Sequence, residues 1–146
     1  EKPVLVMVDG PEMLYQVVRE VPGLARRLME NFWPGPLSII FPSLPHLPRL
    51  LTGGTGTIAV RQPRQALTCR LIAALGFPIT GTSANRTGSN PPTSAETVSP
   101  EIRDRVDLVV EGGKCLYGQP STLLDLEKRE IIRPGAGLDL AMRAIG

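Results

Sequence analysis

The chain has 146 residues, of which 42% are hydrophobic and 4% aromatic, and its formal net charge is +2. This length and composition predict one domain with an aliphatic core, while no apolar run reaches the ~18 residues that span a membrane. The first residues do not form a signal-peptide pattern, and two widely spaced cysteines with one histidine argue against a zinc site. Free thiols in a reducing cytoplasm are therefore expected.

Apolar periodicity, punctuated by glycine and proline, predicts alternating strands and helices along most of the chain. In chain order it predicts a strand at Val4–Val8, helices at Pro11–Val18 and Gly23–Phe32, a strand at Leu37–Phe41, a loop at Ser43–Thr55, a strand at Thr57–Val60, a helix from Pro63 to Gly76, a strand at Pro78–Thr82, short helical pieces at Thr93–Val98 and Pro100–Arg105, strands at Leu108–Val110, Thr122–Leu126 and Glu130–Arg133, and a helix at Leu138–Ile145. The helix from Pro63 carries one apolar face, made of Leu67, Leu71, Ile72 and Leu75. The order of elements predicts an α/β fold, with a twisted, mixed parallel and antiparallel open sheet and helices on its faces.

Acidic residues are missing from the middle of the chain. Between Asn31 and Ala95 there is no aspartate or glutamate, although even spreading of the 14 acidic residues would place about six there. The same segment keeps five arginines, at positions 49, 61, 64, 70 and 86. This distribution indicates a surface that meets an anion. The alternative is that the segment is simply the apolar core of the fold.

Two glycine clusters offer backbone N–H groups that could hold an anion. Thr52–Thr57 is a glycine-threonine loop that leads into a strand, and Gly112 and Gly113 precede Lys114. Such loops can form anion-binding concavities, but neither cluster fits the phosphate-binding pattern GxxxxGK[ST]. A plain turn is the alternative in both places.

Polar groups also stand near the ends of four predicted strands, where ligands collect in open α/β sheets. They lie at Thr57 to Arg61, Thr82–Asn85, Ser121–Thr122 and Arg133–Gly135. The set contains no Ser-His-Asp arrangement, no paired carboxylates and no metal cluster, so we predict no catalytic side chain and no metal ligand. A site of this kind positions anions and stabilises developing negative charge, as nucleotidyl or phosphoryl transfer requires.

Several motifs carry a family resemblance. In order, the chain contains FWPGPLSIIFP, TGTIAVRQP, PITGTSANRTG, VDLVVEGG, STLLDL and IIRPGAG. These motifs resemble, over essentially the whole chain, the YrdC-like family, whose main members are threonylcarbamoyl-AMP synthases. The resemblance implies a nucleotidyltransferase that joins ATP, bicarbonate and L-threonine into threonylcarbamoyl-adenylate and releases pyrophosphate, in the formation of N6-threonylcarbamoyladenosine at tRNA position 37. It further implies Mg²⁺ accompanying ATP, tRNA-modification proteins as partners and weak binding to double-stranded RNA.

The same resemblance implies roles for individual residues. The expected nucleotide contacts are Thr57, Ser83, Asn85 and Arg133, and the expected threonine contacts are Arg61, Gly81 and Ser121. An arginine such as Arg61 suits a bidentate grip on a carboxylate. Each position also has a structural alternative, because Ser83 and Asn85 could close a turn, Ser121 could begin a strand and Arg133 could lie on the surface.

The chain departs from the family pattern at its start. Family members carry a preceding strand and helix and a basic K-x-R-type motif before the position that corresponds to Glu1. We therefore expect a single domain, 1–146, that is N-terminally incomplete relative to the family, with core surface available for oligomerisation. Two alternative functions stay open: a noncatalytic RNA- or nucleotide-binding module of the same fold, and a carbamoyl-adenylating domain like that of hydrogenase-maturation carbamoyltransferases.

Overall fold

The computed structural model describes residues 4–146, and its framework is one six-stranded sheet. The strands are β1 (Leu5–Met7), β2 (Leu37–Pro42), β3 (Thr57–Arg61), β4 (Ile79–Gly81), β5 (Thr122–Asp125) and β6 (Glu130–Arg133). Their order across the sheet is β4-β1-β3-β2-β5-β6. The pairs β1–β3 and β2–β5 are parallel and the other neighbours are antiparallel. The predicted mixed α/β sheet is therefore confirmed.

Short helices connect and cover the strands. They are α1 (Pro11–Leu14), α2 (Gly23–Phe32), α3 (Arg49–Thr52), α4 (Ala66–Leu75), α5 (Pro100–Arg103) and α6 (Leu138–Ile145), with a 3₁₀ turn at Ala95–Thr97. None of the helices described between residues 4 and 146 combines the length and the apolar character needed to cross a bilayer. Both cysteines, Cys69 and Cys115, are free thiols.

The two faces of the sheet differ because side chains alternate along each strand and directly paired residues share a face. One row on the first face runs through Val6, Val60, Ile39 and Leu124, all between 0% and 2% exposed. This row joins a core that also contains residues from α1 and α2, and we call this side of the sheet the core face.

The opposite side, which we call the open face, presents Leu5, Ala59, Ile40 and Gly81 in one row. In β1, β2 and β3 most residues of this face are half-buried, whereas their neighbours one position along the strand are buried. The strands are thus apolar on one side and free to carry polar groups on the other.

The structure corrects four details of the sequence prediction. Leu108–Val110 is not a strand: Leu108 is 76% exposed and the segment lies outside every ladder of the described sheet, so its β-forming residues have nothing to pair with. The first helix ends at Leu14; β-branched Val17 follows in a turn, and Val18 forms an isolated antiparallel bridge with Ser43 instead of extending the helix. The loop at Ser43–Thr55 contains the helix α3, which Gly53 ends in a left-handed conformation.

The fourth correction concerns the apolar face of α4. Ile72 is fully buried, but Leu71 and Leu75 are 48% and 43% exposed. The helix therefore contacts the core mainly through one residue, and its periodicity overstated how much of it packs inside.

Candidate functional site

Arg61 ends β3 on the open face, in an unusual state for a cation. Its guanidinium Nη2 lies 3.8 Å from Met7 Sδ, and its Nε is buried without a hydrogen-bond partner in the described part of the chain. Burial lowers the pKa of Arg61, the Tyr117 phenol opposes that shift, and the nearby Arg133 guanidinium adds to it. A guanidinium stays protonated in proteins, so Arg61 is a desolvated cation with an unused donor, which favours an incoming anion.

Arg133, at the end of β6, is held in place by the backbone of Ser121. Its Nε and Nη2 donate to the Ser121 carbonyl oxygen at 3.3 and 3.0 Å, and Nη2 lies 3.4 Å from Ser121 Oγ. Gly135 allows this arrangement, because a Cβ there would collide with the Pro120 carbonyl oxygen. The result is a second guanidinium fixed in orientation next to the first.

Ser121 is itself oriented from the neighbouring strand β2. Its Oγ lies 2.7 Å from Ser38 Oγ, and both residues are buried. Ser38 pairs with Leu123, two residues after Ser121, so both hydroxyls lie on the open face. Sequence reasoning missed Ser38, although a signal exists: it is the one polar residue in the run Leu37–Phe41.

Gly81 is connected to Arg61 through the side chain of Met7. A Cβ at Gly81 would lie 3.2 Å from Cγ, Sδ and Cε of Met7, the side chain that contacts Arg61. The absent side chain therefore makes room for Met7 in this structure. Tyr117 also lies near Arg61 and was not predicted as a site residue. It belongs to a long irregular segment, where no helix or strand periodicity points to it.

The serine-asparagine loop follows β4 and is mostly exposed. Asn85 Nδ2 donates to the carbonyl oxygens of Ser89 and Arg86, at 2.8 and 2.9 Å, so the turn-closing role holds. Its Oδ1 is buried and has no partner among the described residues, which leaves one acceptor unused. Ser83 is exposed, and Arg86 Nη2 pairs with Glu101 Oε1 at 3.0 Å.

Thr57 lies at the other end of β3 from Arg61. Four residues at ~3.3 Å each separate them by about 13 Å on the same face. The Thr57 hydroxyl contacts Thr55 Oγ1 at 2.8 Å within the glycine-threonine loop. The chain leaves β4 at Gly81, level with Ala59, so Ser83 follows toward the Thr57 end of the sheet.

The predicted residues thus form two groups across the open face. Arg61, Ser121 and Arg133 lie together at one end, and Thr57 lies toward the other end, where the Ser83–Asn85 loop begins. Arg133, predicted as a nucleotide contact, is placed beside the residues predicted to bind threonine. In residues 4–146, no cluster of three or more histidine, cysteine, aspartate or glutamate side chains could hold a metal ion.

Fold and site together define a class: an α/β protein whose open sheet face gathers guanidinium, hydroxyl and amide groups suited to an anionic small molecule. Comparison with known proteins then gives the family. Residues 1–135 match the model of the Sua5/YciO/YrdC family, described as telomere recombination, and the chain belongs to this family. The resemblance inferred from the motifs is confirmed.

Curated relatives carry a consistent name. The chain is 35% identical over 142 residues to the threonylcarbamoyl-AMP synthase of Pyrococcus abyssi, covering 96% of this chain and 42% of that protein. It is 35% identical over 138 residues to the threonylcarbamoyl-AMP synthase of Bacillus subtilis, covering 92% of this chain and 40% of that protein. The chain therefore spans about two fifths of the length of these relatives.

Solved structures support the same fold. The crystal structure of P. abyssi Sua5 complexed with L-threonine matches with a TM-score of 0.90 and 34% identity, over 99% of this chain and 44% of that one. Escherichia coli YciO matches with a TM-score of 0.72 and 30% identity, over 91% of this chain and 66% of that one.

Proposed function

We propose that this domain binds ATP, bicarbonate and L-threonine and forms threonylcarbamoyl-AMP with release of pyrophosphate. The observation that carries the proposal is the desolvated guanidinium of Arg61, whose buried Nε has no partner in the described chain. A carboxylate would supply two acceptor oxygens at that point and would offset the cost of burying the charge. The relative whose structure was solved with L-threonine shares this fold.

The two groups on the open face suit the two ends of such a product. The threonine carboxylate would lie at Arg61 and Ser121, with Gly81 leaving room for the Met7 side chain that contacts Arg61. The nucleotide would extend toward Thr57, Ser83 and Asn85, while Arg133 would stay beside Ser121 at the threonine end. A separation of about 13 Å along β3 fits a small molecule that joins an amino acid to a nucleotide.

The chemistry would rest on positioning and charge. In the first step the threonine amine attacks bicarbonate, forming a carbamate and releasing water. In the second step a carbamate oxygen attacks the α-phosphorus of ATP, and the bond to the leaving pyrophosphate breaks. Arg61 and Arg133 would stabilise the negative charge of carboxylate, carbamate and phosphate. Mg²⁺ would arrive with ATP as part of the substrate, since residues 31–95 supply no carboxylate.

The test is pyrophosphate release, measured with all three substrates and with each one withheld. Release that requires threonine and bicarbonate together supports the synthase. The Arg61→Ala variant should lose the activity, while Arg64→Ala, which removes an exposed arginine three residues away, should keep it. Nucleotide binding without pyrophosphate release would support the noncatalytic module, and release that does not require threonine would contradict the synthase.

The further partners implied by the family belong to the same proposal. The domain would act in the cytoplasm with tRNA-modification proteins, as a monomer or an oligomer. Exposed arginines in the acid-free segment, such as Arg64 and Arg70, would bind duplex RNA weakly through phosphates. Gel shifts of a tRNA-like duplex should weaken steeply with salt, and binding that ignores salt would contradict this role.

A further inference from the structure

Ser38 is a polar residue in a place where the fold needs none. It is 0% exposed and lies between Leu37 and Ile39, both 0% exposed, in the central strand β2. Within residues 4–146 its hydroxyl has a single hydrogen-bond partner, Ser121 Oγ at 2.7 Å. A buried hydroxyl is costly unless it is paired, so the pairing with Ser121 accounts for its presence.

The burial of Ser38 also fixes which hydroxyl donates. A serine hydroxyl has one proton and two acceptor lone pairs. If Ser121 donated to Ser38, the Ser38 proton would be buried without an acceptor, at a cost that native structures avoid. Ser38 therefore donates to Ser121.

The Ser121 oxygen then has its acceptor capacity filled. It accepts from Ser38, and Arg133 Nη2, which can only donate, approaches the same oxygen at 3.4 Å. What stays unused is the Ser121 proton. Ser121 is thereby set as a hydrogen-bond donor beside two guanidinium groups that are also donors.

We propose that Ser38 is a positioning residue that sets the Ser121 hydroxyl as a donor, so that this end of the open face takes the carboxylate oxygen of an amino acid and not its ammonium group. This inference rests on the proposed function, because it concerns the orientation of the threonine substrate. Without the Ser38 hydroxyl, nothing fixes the rotation of the Ser121 hydroxyl, so its proton is no longer held toward the ligand.

Two variants of equal shape separate the hydroxyl from the packing. Ser38→Thr and Ser38→Val introduce side chains of the same outline, and only the first keeps a hydroxyl. With L-threonine as the calorimetric ligand, we expect Ser38→Val to bind about tenfold more weakly than Ser38→Thr, from the loss of one oriented hydrogen bond to a charged group. Equal affinities in the two variants would overturn the proposal, and if the larger pair does not fold, wild type against Ser38→Ala removes the hydroxyl without adding an atom.

A double-mutant cycle tests whether the effect passes through Ser121. Combined with Ser121→Ala, the change from Ser38→Thr to Ser38→Val should alter the threonine affinity less than twofold. A tenfold difference that persists in this background would show that Ser38 acts by packing and would overturn its positioning role.

Hydroxyl-proton NMR of the unliganded protein shows which serine donates in the bond between Ser38 and Ser121. This measurement does not depend on the proposed function. We expect a slowly exchanging hydroxyl proton that correlates with Cβ of Ser38 and shows a contact to the Ser121 methylene. A protected proton on Ser121, or none on Ser38, would overturn the inference. If this signal is found but L-threonine fails to bind, the proposed function fails while the donor assignment stands.

Discussion

The two faces of the sheet are built by the same strands, yet they differ in burial and polarity. On the core face, Val6, Val60, Ile39 and Leu124 meet in a row that is between 0% and 2% exposed. On the open face, the same strands present mostly half-buried residues, and β3 ends in Arg61, which has a buried cationic nitrogen without a described partner. The residues of the core face lower the free energy of the fold, whereas the open face leaves one buried donor, Arg61 Nε, without a partner among the described residues.

This difference indicates how a small domain can keep its stability apart from the binding role proposed for the open face. Because side chains alternate along a strand, a change at one position affects one face, and its neighbour affects the other. The site can therefore hold a desolvated charge without weakening the core beside it. The predictions below test that separation, beginning with the largest expected effect.

Removing Phe41 should cause the largest loss of stability. Phe41 is 0% exposed and packs edge-on against Trp33, with ring centroids 6.4 Å apart. We expect Phe41→Ala to lower the free energy of unfolding by about 3–5 kcal/mol, measured by urea unfolding. Ile40→Ala, the neighbouring change on the open face, is the control and should cost clearly less. Equal losses would mean that the two faces are not separate.

Removing Arg61 should show the opposite pattern, with a large effect on binding and a small one on stability. Two charge-assisted hydrogen bonds of about 1.5–3 kcal/mol each would be lost with Arg61→Ala, which corresponds to a roughly 10²–10⁴-fold weaker threonine affinity. Arg61→Lys should restore little of it, because the planar fork is lost. Calorimetry with L-threonine decides, and unchanged affinity in both variants would assign Arg61 another role.

The sequence was informative about the fold where its pattern was strong. Both β5 and β6 were placed within a residue, since a polar turn separates two apolar runs, and the two strands pair as expected. Leu108–Val110 misled, because β-branched residues favour a strand only when a neighbouring strand is available. The apolar face of α4 misled for a related reason: periodicity shows which residues share a face and not what covers them.

The candidate site could be predicted from the sequence only in part. Short motifs indicated Arg61, Ser121 and Arg133, and the structure brings these three together. Ser38 and Tyr117 depend on contacts between residues far apart in sequence, and Ser38 and Ser121 are 83 positions apart. Only the register of β2 against β5 brings those two hydroxyls together, and the residue pattern of a single sequence does not specify that register.

A smaller effect is expected for Gly81→Ala, which adds a Cβ next to the Met7 side chain and changes no charge or hydrogen bond. In Gly81→Ala the new Cβ would lie 3.2 Å from the Met7 side chain, closer than the usual ~3.5–4.0 Å contact. A flexible methionine can shift by a few tenths of an ångström, so we expect less than about 1 kcal/mol of lost stability. Because Met7 contacts Arg61, threonine affinity should fall by up to about tenfold.

The control for Gly81→Ala is Gly10→Ala, since a Cβ at Gly10 would have no heavy atom within 4 Å. Thermal unfolding and threonine calorimetry on both variants separate the two effects. If Gly81→Ala lowers stability strongly but leaves threonine affinity intact, Met7 does not connect Gly81 to Arg61 in the way the geometry indicates.

The weakest effect should come from the exposed ion pair that ties the serine-asparagine loop to α5. Arg86 Nη2 lies 3.0 Å from Glu101 Oε1, but the two side chains are 72% and 42% exposed. Water screens such a pair, so Glu101→Gln should change the free energy of unfolding by at most about 0.5 kcal/mol.

The Glu101→Gln change also frees Arg86 to contact a nucleotide. The affinity for AMP should therefore rise about twofold at about 50 mM salt and not at about 500 mM. Glu96→Gln, which removes an exposed glutamate that forms no ion pair in residues 4–146, should change neither quantity. A clear loss of AMP affinity in Glu101→Gln would instead mean that the ion pair holds the loop in the conformation that binds AMP. Charge, and not only apolar packing, would then order this exposed part of the chain.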